Sequence, residues 1–255
     1  MQKFAAIVLS AGSGKRMKSD IPKQYMNLMG KPVIYYSLKA FQDCGFSSII
    51  LVCGKDDVEY CQREIIKKHE LTGVTAVVAG GAERYHSVFE GLKAVGDADY
   101  VFIHDGARPM IHSDIIHRLQ DAVMESDAAV AGMPVKDTIK IVDADDCVVD
   151  TPERKYVWQV QTPQCFAFPI IYEAYAKLIG DELAGVAIPP VTDDAMVLSY
   201  VSEHKIKMVE ADYKNIKITT PEDLRIAALF LVEEELEEEE EKRTSKKLKF
   251  LKNRC

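Results

Sequence analysis

Residues 4–17 read Phe-Ala-Ala-Ile-Val-Leu-Ser-Ala-Gly-Ser-Gly-Lys-Arg-Met. The first six, Phe4–Leu9, form a continuous apolar run of strand length, which a turn of small residues then ends. So apolar a run is expected where both faces of a strand are buried, as in a parallel sheet. Four similar runs follow: Ile49–Cys53, Thr75–Val78, Tyr100–Ile103 and Ala128–Ala131. Helix-period patterns separate them. Ile34, Leu38 and Phe41 recur at i, i+4, i+7 behind Pro32, a residue suited to a helix start. Val88, Leu92 and Val95 repeat that spacing, and Ile115, Leu119 and Val123 nearly do. This alternation predicts an α/β fold with a doubly wound, mostly parallel sheet.

Two common phosphate-loop patterns bear on the turn after the first run. The dinucleotide pattern G-x-G-x-x-G needs a third Gly where Met17 stands, which disfavours a nicotinamide-dependent oxidoreductase. The P-loop pattern needs Gly at Leu9 and Ser or Thr at Arg16. Both fail. What remains is a small-residue loop, Ala11, Gly12, Ser13 and Gly14, followed by Lys15, Arg16, Lys18 and Lys23. Alone, it reads either as a plain turn or as a concavity of backbone amides suited to a triphosphate.

Two polar clusters sit at the ends of other runs: Gly80–Ser87, before a helix, and His104–Pro109, after the fourth run. The carboxyl ends of parallel strands are where open α/β sheets bind ligands. Asp105 is placed either to hold Mg²⁺ on a nucleotide or to cap a turn. Arg84 and Arg108 read as site cations or as surface ion-pair residues.

The chain has 255 residues, 47% hydrophobic and 28% charged, enough for a full core. Its 32 Lys and Arg against 40 Asp and Glu give a net charge of −8, unlike a non-specific nucleic-acid binder. No run nears the roughly 20 apolar residues of a membrane span. The short N-terminal run ends in a Gly-rich turn and not in a cleavage site. The six cysteines are scattered without a C-x-x-C, so neither a metal site nor a disulfide framework is expected, and reduced thiols in the cytoplasm are.

Residues 1–232 read as one domain. From Lys136 to Gln161 the pattern changes. Thr138–Val142 and Val148–Asp150, joined by Asp143–Cys147, predict a protruding β-hairpin arm at about 136–161. Helices are expected at Pro169–Ile179 and Asp194–Ser202, and strands at Lys205–Glu210 and Asn215–Thr219. A last helix begins with Thr220 as N-cap and Pro221 at its first position. Residues 233–241 hold eight Glu and 242–254 hold seven Lys or Arg. Acid first and base last suits the dipole of a continuing helix, so 233–255 reads as a charged helical extension or a partner-binding tail.

Eight segments in series, LSAGSGKRM, IPKQY, GGAERYHSV, HDGARP, PVKDTIK, Arg154 through Trp158 to QTPQ, TDDA and NIKITTPEDL, cover about residues 3–230. In this order they resemble the 2-C-methyl-D-erythritol 4-phosphate cytidylyltransferases of non-mevalonate isoprenoid synthesis. Ribitol-5-phosphate cytidylyltransferases share much of the set, but Trp158 and TDDA look more like the methylerythritol branch. Two stretches depart from the family pattern: Met196–Tyr200 lacks an expected Glu, and Gly180–Pro190 is long and apolar.

The resemblance implies a Rossmann-like nucleotidyltransferase fold. It also implies a reaction of CTP with 2-C-methyl-D-erythritol 4-phosphate, with Mg²⁺, that releases pyrophosphate. Arg16 and Lys23 match residues that stabilise charge on the CTP phosphates. Ala11, Gly12, Ser13 and Gly14 match the nucleotide loop. Gly81 and Ser87 match cytidine contacts, and Asp105 the acidic residue near metal and ribose. Arg154 and Lys217 match the pair that positions the acceptor phosphate. Arg108, Thr138, Thr162, Thr192 and Thr219 match further acceptor contacts. The family exchanges its arm between subunits, which implies a homodimer with Thr138 and Arg154 acting in trans. A non-catalytic nucleotide-sensing module would be expected to lose some of these cations or Asp105, and all are present.

Overall fold

The computed structural model describes residues 2–12, 17 and 21–252, without the side chains of 238 and 245–252. The strands are β1 (Phe4–Ser10), β2 (Asn27–Leu28), β3 (Lys31–Pro32), β4 (Ser48–Cys53), β5 (Val74–Ala79), β6 (Tyr100–Asp105), β7 (Ala128–Pro134), β8 (Ile141–Val142), β9 (Val148–Asp150), β10 (Trp158–Ala167) and β11 (Lys207–Glu210). The helices are α1 (Val33–Asp43), α2 (Val58–Tyr60, continued by a π-helical stretch Cys61–Lys67), α3 (Arg84–Ala94), α4 (Ser113–Ser126), α5 (Phe168–Leu183), α6 (Asp194–Val201) and α7 (Pro221–Lys252).

Seven strands form one sheet in the order β11-β7-β10-β6-β1-β4-β5. All run parallel except β10, which is antiparallel to both β6 and β7. The apolar runs explain the layering. In β1, Ala6 and Val8 belong to a core that α1 and α4 cover, with Phe41 and Leu119. Ala5 and Ile7 belong to a second core, with Val88, Tyr175 and Leu198 from α3, α5 and α6. Alternate side chains point to opposite faces of a strand, so a run that is apolar at every position needs helices on both sides. The chain leaves β1 towards β4 and β5, then returns to place β6 on β1's other edge. The crevice at the carboxyl ends of β1 and β6 is therefore a topological switch point.

The five expected strands lie within β1, β4, β5, β6 and β7. The expected hairpin is present as β8 and β9, and its Ile141, Val142, Val148 and Val149 are exposed. Helix α7 starts at Pro221, and the Asp223 carboxylate and Thr220 hydroxyl exchange hydrogen bonds with each other's backbone N–H (2.8 and 3.4 Å). It runs on through the acidic block to Lys252.

One expected strand is corrected. Asn215–Thr219 is irregular, because it crosses the end of the sheet. It is held by Asn215 Nδ2, which donates to Gln161 Oε1 (2.9 Å) and the Thr162 carbonyl (3.0 Å), and by the Ile218 N–H on the Ala107 carbonyl (2.8 Å). The long strand β10 and the helix at 58–67 have no counterpart in the sequence reading. In β10 the buried positions include Gln161, Thr162 and Gln164, so the apolar pattern breaks where the strand meets the crevice.

Candidate active site

At the carboxyl ends of β1 and β6 lies a cleft of about 430 Å³. Ala11, Gly12 and Lys23 form one wall, Gly81, Arg84 and Ser87 another, and Asp105 and Lys217 stand at its base. Gln24 secures the first wall: its Nε2 donates to the Ser10 carbonyl and to the Gly12 carbonyl (3.2 Å). The second wall is held by Ser87 Oγ, which accepts from the Gly81 N–H (3.1 Å). The two walls touch at Gly80, where a Cβ would lie 2.7 Å from Ala11 Cβ and 2.6 Å from Ser87 Oγ. Only glycine permits that approach.

A side pocket of about 210 Å³ opens beyond Asp105, bounded by Arg108, Thr162, Gln164 and Thr192. Arg84, Asp105 and Lys217 line both spaces, so the two compartments share a charged partition. Lys217 Nζ lies 2.7 Å from Asp105 Oδ2, Arg84 Nε 3.6 Å from Oδ1, and Arg108 Nε 3.9 Å from Oδ2. Burial alone would raise the Asp105 carboxyl. The Arg84 and Lys217 charges, with Arg108 behind them, outweigh it and hold the group ionised, well below the usual carboxylate range.

His104, beside Asp105, is fully buried. The Asp105 N–H donates to Thr162 Oγ1 (3.0 Å), which leaves the Thr162 proton for His104 Nδ1 (3.1 Å). His104 Nε2 then donates to the Arg108 carbonyl (3.1 Å). This pattern needs the neutral ring, and burial pushes its pKa down to about 4. The bonds fix the turn that carries Asp105 and Arg108. Arg108 Nη1 donates to the Asn215 carbonyl (2.8 Å), while its Nε is buried with no hydrogen-bond partner. Arg108 borders the side pocket, where a guanidinium suits an anionic oxygen.

The fold thus gathers Ala11, Gly12, Lys23, Gly81, Ser87, Asp105 and Lys217 around the cleft, and Arg108, Thr162 and Thr192 around the side pocket. Ser13, Gly14 and Arg16 lie outside the described residues. Thr219 lines neither space, and its hydroxyl donates to Asp223 Oδ2 (2.7 Å) at the start of α7. Arg154 and Thr138 are exposed and apart from both. Arg154 lies at the root of the arm, in a hollow with Pro134, Val135, Glu153 and Lys155, where its Nη1 donates to the Lys136 carbonyl (3.1 Å). Arg84, left open in the sequence as a site cation or a surface ion-pair residue, lines both spaces, and Asp194, behind it, is a partner to which the sequence assigns no separate role. Arg84 forms a two-pronged ion pair with Asp194, both bonds 2.7 Å.

Among the described residues, no group of three or more His, Cys, Asp or Glu could hold a metal alone. Asp105 is an ionised carboxylate at the junction of the two spaces. That donor set fits magnesium only as nucleotide sites commonly hold it, by one or two carboxylates with phosphate oxygens completing the shell. Among the described residues, no helix is long and apolar enough to cross a membrane.

Residues 4–233 match the family model described as 2-C-methyl-D-erythritol 4-phosphate cytidylyltransferase. The chain belongs to that family. It is a nucleotidyltransferase of isoprenoid biosynthesis. A relative of the same name from Lachnospira eligens is 51% identical over 227 residues, 89% of this chain and 98% of that protein. Another, from Lachnoclostridium phytofermentans, is 47% identical over 235 residues, 92% and 99%. The solved 4-diphosphocytidyl-2C-methyl-D-erythritol synthase from Anaerococcus prevotii superposes with a TM-score of 0.77 at 34% identity, over 90% of this chain and 98% of its own. All three are named for methylerythritol chemistry, and the ribitol and sensor alternatives gain no support.

Proposed function

We propose that the cleft binds CTP and the side pocket binds 2-C-methyl-D-erythritol 4-phosphate, and that the charged partition between them is where the cytidylyl group is transferred. The observation that carries this reading is the shared wall of Arg84, Asp105 and Lys217 between a glycine-lined cleft and a pocket bordered by the Arg108 guanidinium. Two phosphate compounds repel one another, and the barrier grows as charge builds on the α-phosphate and on the departing pyrophosphate. Fixed cations lower both costs without a covalent intermediate.

In this scheme the amides of Ala11 and Gly12 approach the triphosphate, with Ser13 and Gly14 completing the loop. Lys23 and Arg16 neutralise the phosphates as pyrophosphate leaves. Gly81 and Ser87 border the base. Lys217 and Arg108 orient the acceptor phosphate for in-line attack, with Thr162 and Thr192 as further contacts, while Thr219 is left to hold the start of α7. Asp105 would hold Mg²⁺ together with the nucleotide phosphates, and the ion would supply charge neutralisation there. The exposed apolar hairpin β8–β9 suits exchange with a second copy, so that Arg154 and Thr138 reach the neighbour's acceptor pocket in a homodimer. Free cysteines and the soluble anionic substrates suit a cytoplasmic setting.

The test is pyrophosphate release from CTP with the two acceptors, methylerythritol 4-phosphate and ribitol 5-phosphate, run side by side. Release with the first alone is expected. Release with ribitol phosphate alone, or with neither, overturns the assignment.

A further inference from the structure

Behind the partition stands a buried chain of hydrogen bonds that leads away from both compartments. Tyr175, fully buried in α5, donates its hydroxyl to Asp194 Oδ1 (2.6 Å). Asp194, fully buried at the start of α6, receives Arg84 Nη1 and Nη2 on its two oxygens (2.7 Å each). Arg84, at the start of α3, turns its remaining edge, Nε, towards Asp105 Oδ1 at 3.6 Å. Four elements, α5, α6, α3 and β6, are thereby tied in series. Burial opposes the Arg84 charge, but Asp194 more than offsets that, so the guanidinium stays charged.

The start of α6 is pinned from a second direction as well. Gln164 of β10 accepts from the Ala195 N–H (2.8 Å) and donates to Asp193 Oδ2 (3.2 Å). Asp194 is therefore a fixed anchor. Its geometry matters because a guanidinium offers a limited fork of donors. While Asp194 occupies both terminal nitrogens, Arg84 presents only its Nε edge to Asp105. Lys217 then keeps the close contact with Asp105, and both of their side chains stay at the junction.

From this geometry we infer that Tyr175 and Asp194 are positioning residues for the transfer step. They hold Arg84 at a fixed standoff, so that Arg84 does not collapse onto Asp105 and close the passage between nucleotide and acceptor. Neither Tyr175 nor Asp194 lines the cleft or the side pocket, and both act through Arg84. The inference rests on the reading of the two compartments as a cytidylyl-transfer site. A strut of this kind governs alignment and not ground-state binding, so its loss should fall on kcat.

The test uses the full-length protein with Asp194→Asn, Arg84→Lys, Tyr175→Phe and the Arg84→Lys/Asp194→Asn pair. Turnover is normalised to folded protein by thermal melting, and KM is measured for each substrate. Asp194→Asn and Arg84→Lys are each expected to lower kcat by about 100-fold, the scale of an ångström-level misplacement, while KM for CTP moves less than about threefold. Tyr175→Phe removes one oxygen remote from both spaces and should lower kcat by a smaller, several-fold factor at unchanged KM. The pair should be no worse than its more damaged member, since both break one link.

A purely structural role predicts something different: reduced melting temperature with normal kcat per folded molecule. That result overturns the inference, and so do additive losses in the pair or an effect confined to KM. If Asp194→Asn does not fold, Tyr175→Phe decides alone, and normal kcat there is the overturning result. Wild-type turnover in the same assay reports on the reaction itself, so losses limited to the variants speak only to the strut.

Discussion

Lys217 Nζ meets Asp105 Oδ2 at 2.7 Å, at the point where the cleft and the side pocket join. One residue ends a strand of the central sheet, and the other lies on the irregular segment that crosses the sheet's end. Their pairing keeps an anion and a cation together at the junction.

Lys217→Ala should therefore act on catalysis and on the Asp105 carboxyl together. Removal of a preorganised cation of this kind lowers kcat by roughly two to three orders of magnitude. Loss of the Lys217 charge also relaxes one of the interactions that hold the Asp105 carboxyl low. The Asp105 carboxyl should titrate at higher pH in the variant than in the unaltered protein, as carboxyl-carbon NMR would read. An unshifted Asp105 titration would show that Asp105 does not feel Lys217.

Lys23→Ala removes a cation on the cleft wall opposite Gly81 and should cost at least about 100-fold in kcat. Arg16→Ala should do the same, on the family resemblance of its position. Pyrophosphate release measures both, and near-normal turnover in the Lys23 variant would remove it from the transfer step.

Arg154 lies too far from the side pocket of its own chain to line it, so its contribution is expected across a dimer. Arg154→Ala should raise KM for methylerythritol 4-phosphate more than KM for CTP. Mixing Arg154→Ala with Lys217→Ala protein should restore activity. Hybrid dimers then carry one intact site, and equal mixing yields about a quarter of wild-type turnover by symmetry. No recovery after verified subunit exchange would place Arg154 in its own subunit's site or outside the chemistry.

Gly80→Ala places a methyl against Ala11 Cβ and Ser87 Oγ, where the two cleft walls meet. The walls must separate, at a stability cost of about 1–3 kcal/mol. KM for CTP should rise while acceptor KM changes little, as titration and melting curves would show. Unaltered CTP binding would mean that wall spacing is not critical.

His104 gives the fold an acid-sensitive element. Its folded-state pKa, about 4, lies below the ordinary value of 6.5, so the unfolded chain binds more protons between those limits. Stability from the neutral ring is complete above that window and is lost as pH falls through it. The loss is on the order of 3 kcal/mol if the full shift is realised. Melting temperature should fall from pH 7 to pH 4, and His104→Gln should flatten the dependence. Parallel curves for both proteins would count against the assignment.

Much of this protein is legible in its sequence because the causes are local. A strand apolar at every position needs cover on both faces, which is why five such runs alternating with helix-period segments predict a doubly wound sheet. The small-residue turn after β1 announces the end of the first strand at the crevice, and Thr220-Pro221 announces the start of α7. The tertiary structure decided what depends on partners far away in the chain. β10 escaped notice because Gln161, Thr162 and Gln164 interrupt its pattern; their polar groups are satisfied only by neighbours such as Asn215 and Asp193. Asn215–Thr219 looked like a strand until its hydrogen bonds proved to go to side chains and a loop and not to a ladder. Arg84 reads in the sequence equally as a site cation or a surface ion-pair residue, and the fold decides by setting it between two carboxylates, Asp194 and Asp105. Periodicity records which face of an element is buried. It does not record which buried charges meet, because that is fixed by the packing of whole elements against one another.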